Sequence, residues 1–121
     1  MFKPSDTLPH TLVPLALAVQ VIWSRVYEGG KPAGDAKERL LDSIASTLCV
    51  TGRLYEYVGE ARPRRLSPTE IRGGTFQGGG RELHFADGRP PRRHLAVPSD
   101  DVPIAIEVER RRLIGESRTQ Q

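Results

Sequence analysis

Two histidines, one on each arm of a short ribbon, are the nearest approach to reactive chemistry in this sequence. Arg81-Glu82-Leu83-His84-Phe85-Ala86 alternates like a strand, Asp87-Gly88-Arg89-Pro90-Pro91 has the residues of a loop, and Arg92-Arg93-His94-Leu95-Ala96-Val97 alternates again. Folding about Arg89 sets His84 against His94 and Leu83 against Leu95. The pleat then puts Leu83, Phe85, Leu95 and Val97 on one face and Glu82, His84, Arg92 and His94 on the other. Opposed residues stand about 5 Å apart at Cβ, close enough for two imidazoles to share a metal ion or a proton. Zinc needs a third protein ligand, and only Glu82 is near. The plainer expectation is a solvated polar face, with no metal, no cofactor and no catalytic residue. A slip of one residue would undo the pair.

The second candidate chemistry is anion binding. Residues 1–60 carry six basic and seven acidic side chains, whereas residues 61–121 carry twelve and eight, and all twelve basic residues there are arginine. Three groups stand out: Arg62, Arg64 and Arg65; Arg89, Arg92 and Arg93; Arg110, Arg111 and Arg112. The guanidinium fork suits phosphate and carboxylate, so converging groups could track a polyanion. No recognition helix, zinc finger or cluster of stacking aromatics accompanies them. A solvated face is the usual meaning of such groups.

Other residues carry weaker signals. Gly73-Gly74 and Gly78-Gly79-Gly80 flank a short segment, but the triplet leads strand to strand without the Lys-Ser or Lys-Thr of a phosphate loop, so turns are expected. Asp100-Asp101 could ligate a metal, and helix capping explains them more simply. His10 has no assignable partner. Cys49 is the single cysteine, which excludes an internal disulfide and a multi-thiolate zinc site and fits a reducing cytosol. The apolar run Leu12–Trp23 is too short for a bilayer, which needs about 20 residues, and its flanks make a poor signal peptide.

Several elements must position these residues. The chain has 121 residues, 37% hydrophobic and 27% charged, which suits a single domain over 1–121. Residues 1–10 read as an extended lead-in. Thr11 is expected to cap a helix running to about Glu28, with Leu15, Val19, Ile22 and Val26 as its core stripe. Asp35 is expected to cap a second helix that buries Leu41, Ile44, Ala45, Leu48 and Cys49 and ends near Gly52; Leu54–Val58 reads marginally as its continuation. Ser67-Pro68-Thr69-Glu70 is a capping box opening one helical turn. Thr75-Phe76-Gln77 adds a third strand to the ribbon. From Ser99 the chain reads as a helix with Val102, Ala105, Ile106 and Leu113 on one face and the arginine triplet at its end, although 104–109 also alternates like a strand. Residues 116–121 are expected to fray.

The expected fold is α+β: two long antiparallel helices packed on a three-stranded antiparallel meander, with a C-terminal helix. The first helix carries more apolar surface than one small sheet can cover. That excess suggests a cytosolic, non-enzymatic module acting by protein contact, either with another protein or as a homodimer through Leu12, Leu15, Val19 and Trp23, with no membrane partner. The rival readings are a nucleic-acid or polyanion binder using Arg62, Arg64, Arg65, Arg89 and Arg93, and a small metal-dependent enzyme centred on His84 and His94.

Overall fold

The leading apolar run divides in two. In the computed structural model, which describes residues 11–27, 32–49, 53–59 and 62–120 with side chains to 115, Leu12–Pro14 is strand β1 and Leu15–Val26 is helix α1. Pro14 causes the division. It is extended, with ψ at 135°, and its ring cannot donate a ladder hydrogen bond, so it ends the strand and stands just before the helix. Thr11 is therefore not a cap; its carbonyl accepts the Ser99 N–H at 3.0 Å. Helix α2, Gly34–Cys49, buries the five residues expected of it. Asp35 lies inside its first turn rather than before it. The lead-in with His10, the glycine stop at 29–30 and the end at Gly52 fall outside the described residues.

Tyr55–Glu56 forms strand β2, which corrects the expected helical continuation. It lies between β3, Arg64–Arg65, and β6, Leu95–Pro98, in an antiparallel sheet of order β1-β6-β2-β3. Tyr55 pairs with Ala96 on one side and Arg65 on the other, and that tertiary pairing outweighs local helix preference. The capping box forms as read. Ser67 Oγ accepts the Glu70 N–H at 3.1 Å, the Glu70 carboxylate accepts the Ser67 N–H, and helix α3 spans Pro68–Arg72.

The expected meander does not form. Strands β4, Gly74–Gln77, and β5, Glu82–Phe85, make a two-stranded hairpin in which His84 faces Thr75. The backbone of the returning arm pairs with β5 at one described bridge, Leu83 with Arg92, through bonds of 3.0 and 2.9 Å. Both continuations of that pairing are blocked. Toward the loop the next hydrogen-bonded position is Pro90, which has no N–H. Toward the hairpin foot it is His94, whose φ of 56° turns the chain away and whose carbonyl takes the Tyr57 N–H instead. Beyond His94 the chain becomes β6, an interior strand with all four residues buried. Leu83, Phe85, Leu95 and Val97 still enter the core, but the expected division of the ribbon into an apolar and a polar face is lost, because Leu83 now opposes Arg92 and all four residues of β6 are buried.

The last element is helical. α4 spans Asp101–Gln120, so Arg110, Arg111 and Arg112 lie within it and not at its end. Asp101, Ala105 and Glu109 recur every four residues on its buried face. α1 packs against α2, α4 and β6, while β4 lies on α2. Those contacts take up most of the apolar surface of α1. The Gly78–Gly80 turn ties hairpin to helix: the Gly79 and Gly80 N–H groups donate to Asp42 Oδ1 on α2 at 2.8 and 3.0 Å. These glycines do cradle an anion, and it is the protein's own carboxylate. No helix among the described residues is long and apolar enough to cross a membrane.

Candidate functional site

The two histidines lie apart in the hairpin pairing. His84 Nε2 is 3.2 Å from Glu82 Oε1, and the other oxygen of Glu82 accepts from Arg93 Nε. His84 first and Arg93 second hold the Glu82 carboxyl below the usual carboxylate range. Arg92, expected beside them, points elsewhere. No three His, Cys, Asp or Glu side chains among the described residues are gathered so as to hold a metal ion.

Arg92 belongs to a four-residue ion cluster that the sequence did not announce. Arg64 Nη2 lies 3.4 Å from Glu56 Oε1 and 3.5 Å from Glu70 Oε2; Arg92 Nη1 and Nη2 lie 3.5 and 3.3 Å from the same two oxygens. Burial alone would raise the Glu70 carboxyl, but the Arg64 hydrogen bond and charge outweigh it and the net direction is down. The cluster ties β2, β3, α3 and the returning arm together. Three other arginines of these groups also meet carboxylates. Arg89 binds Asp87 at 2.8 Å and lies over the Phe85 ring, Arg111 meets Glu107, and Arg112 meets the wholly buried Glu109 at 2.8 Å, with Tyr27 beside them. Arg65 is exposed on the edge strand β3, and Arg62 has no carboxylate partner among the described residues. Among the described residues, carboxylates thus interleave part of each of the three arginine groups.

Asp100 and Asp101 have different fates. Asp101 is buried at the start of α4 and takes a bidentate bond from Arg53, at 2.6 and 3.2 Å, while Asp100 is exposed. Cys49 lies in the same region; burial, with the Asp101 charge added, pushes its thiol up to about 12. Of the residues expected at an oligomer interface, Leu15, Val19 and Trp23 point into the chain's own core, with the Lys37 ammonium 4.4 Å from the Trp23 ring centre, and Leu12 is half-buried.

Two concave regions among the described residues stand out. The first is a cleft of about 440 Å³ between α1 and α4, lined by Val13, Leu17, Val21, Val102, Pro103 and Ile106. These helices run side by side in the same direction, since Ser99 meets Thr11 at one end and Glu109 meets Tyr27 at the other. Leu17 is 55% exposed and Val21 38%. Both are one helical turn apart, on the flank beside the core stripe. The second surface is a pair of adjoining hollows, about 640 and 420 Å³, that share Pro14, His94 and Leu95.

No family model, no curated protein and no solved structure matches the chain. The fold and its surfaces define an α+β protein with an apolar interhelical cleft and a separate saddle over His94.

Proposed function

We propose that the protein acts by protein–protein contact, and that the contact is self-association through the cleft between α1 and α4. The observation that carries this reading is the exposure of Leu17 and Val21 beside Val102, Pro103 and Ile106. A chain that buries or half-buries its other α1 apolar residues leaves a ridge and a cleft next to each other, and a twofold contact seats each ridge in the other copy's cleft. Charge supports the antiparallel placement. Arg25 lines one end of the cleft, with exposed Arg110 one turn beyond Ile106, and exposed Asp100 stands at the other end beside Ser99. A twofold axis brings the basic end of one copy to the acidic end of its partner.

Sedimentation equilibrium over 5–200 μM tests it (concentrations on the order of those that resolve a micromolar dimer). The expected result is a dimer that Leu17→Asp and Val21→Asp convert to monomers with unchanged circular dichroism. A wild-type monomer throughout that range overturns the proposal, as does a dimer indifferent to both substitutions.

A further inference from the structure

Among the described residues, backbone strain, paired hollows and cationic groups coincide at the saddle over His94. His94 has φ of 56°, a conformation an L residue adopts at a cost, and such strain persists only where the surroundings impose it. Its carbonyl is held by the Tyr57 N–H at 3.1 Å. Its exposed imidazole has no hydrogen-bond partner among the described residues, and it stands where the two hollows meet.

The hollows differ in chemistry. The larger is walled by Leu12, Pro14, Leu95 and Ala96, with Tyr57 beside them. The smaller presents Arg81, Arg93 and Glu82. Each guanidinium is steadied by one protein bond, Arg81 to the Gly78 carbonyl at 3.2 Å and Arg93 to Glu82, which leaves other N–H groups for a ligand. Glu82 is already shared by Arg93 and His84, so two guanidiniums face one occupied carboxylate and the hollow keeps a positive excess.

We propose that this saddle binds a small amphipathic carboxylic acid, its apolar body in the larger hollow and its carboxylate at Arg81 and Arg93, with the His94 imidazole between them. A planar carboxylate fits a guanidinium fork bidentately. Volumes of this size are those of small-molecule sites, which are mostly apolar with a few placed polar groups. The site lies apart from the α1–α4 cleft and shares no lining residue with it.

The probes are octanoate and octan-1-ol, followed by amide NMR and calorimetry on the full chain. Octanoate is expected to bind saturably and to move the amides of Arg81, His94, Leu95 and Ala96. Octan-1-ol, and octanoate with Arg81→Gln or Arg93→Gln, should each bind about tenfold more weakly, the effect of losing one charge-assisted hydrogen bond. Both arginines are exposed, so neither substitution threatens the fold. No octanoate binding at millimolar concentration overturns the proposal, as does equal binding of the alcohol or shifts confined to Val21 and Ile106. Tighter binding of acetyl-leucyl-leucine than of octanoate overturns the free-acid assignment in favour of a peptide C-terminus.

Discussion

Replacing Gly80 by alanine tests how closely the hairpin is pressed onto the helices. Gly80 has φ of +89°, and an alanine Cβ there would stand 3.3 Å from Val19 Cγ2, 3.4 Å from Ala45 Cβ and 3.5 Å from Leu15 Cγ. All three neighbours are fully buried, so none can swing aside. Gly88 is the control: its φ is +84°, and nothing lies within 4 Å of its virtual Cβ. The backbone penalty common to both is about 1–2 kcal/mol, reduced by roughly 0.4–1 kcal/mol because alanine loses less entropy on folding. Gly88→Ala should therefore cost about 1 kcal/mol. Gly80→Ala adds overpacking of about 1–3 kcal/mol, for roughly 2–4 kcal/mol in all. At about 4 °C per kcal/mol for a chain of this size, thermal midpoints fall by about 4 °C and about 8–16 °C respectively. Thermal and urea denaturation followed by circular dichroism measure both, with an unchanged urea slope confirming that stability alone has moved. Val19→Ala should restore part of the loss in the Gly80→Ala background while destabilising the wild type. Equal midpoints for the two glycine variants would refute the close approach of hairpin and helices.

Three further outcomes follow from buried and half-buried polar groups. Cys49 should be inert to a thiol reagent at pH 8 and react fully in denaturant, because burial pushes the thiol up to about 12; rapid labelling of the native protein would contradict its placement. Asp101→Ala should cost about 2 kcal/mol by removing a bidentate bond and a charge at the start of α4, whereas exposed Asp100→Ala should cost about 0.5 kcal/mol or less. Glu70 titrates below its ordinary value in the native state, so its contribution is full above the unfolded carboxylate pKa and is lost as pH falls through the lowered one. Glu70→Gln should accordingly destabilise by about 1 kcal/mol at pH 7 and by much less once that acid range is passed, and an equal loss at both pH values would show that the ion cluster is not its source.

What could be read in the chain was local. The capping box at Ser67, the α2 stripe and the helical character of 101–113 each depend on residues within one or two turns, and each formed. The apolar assignment of Leu83 and Phe85 also held, because the pleat fixes alternation along β5 whatever its partner strand, and Leu95 and Val97 are buried with the whole of β6. The cleft was missed in detail, since apolar excess on α1 was visible while its division between core and surface was not. The buried acids were missed for a related reason. Asp101 and Glu109 lie in register with Ala105, but a search for apolar periodicity passes over carboxylates whose partners, Arg53 and Arg112, neutralise them.

The sheet is the part that local reasoning could not reach, and the two neighbouring arms show why. A hairpin is the shortest route between Phe85 and Arg92, so pairing the two arms about Arg89 follows when only the loop is considered. The outcome turned on absences and on distance: prolines without N–H groups at 90 and 91, one left-handed residue at His94, and partners for β6 that lie forty and eighty residues upstream at Tyr55 and Val13 (separations on the order of those that make non-local pairing hard to foresee). One signal was present nonetheless. Leu95-Ala96-Val97-Pro98 holds no polar residue, whereas the arm of a half-solvated ribbon should alternate. An unbroken apolar strand demands cover on both faces, which an outer arm of a meander cannot have. The change of sheet at His94 follows from that demand. It also draws Leu95 into the core while leaving the imidazole of its neighbour at the rim, so the same constraint that ended the expected histidine pair created the saddle in which His94 now stands.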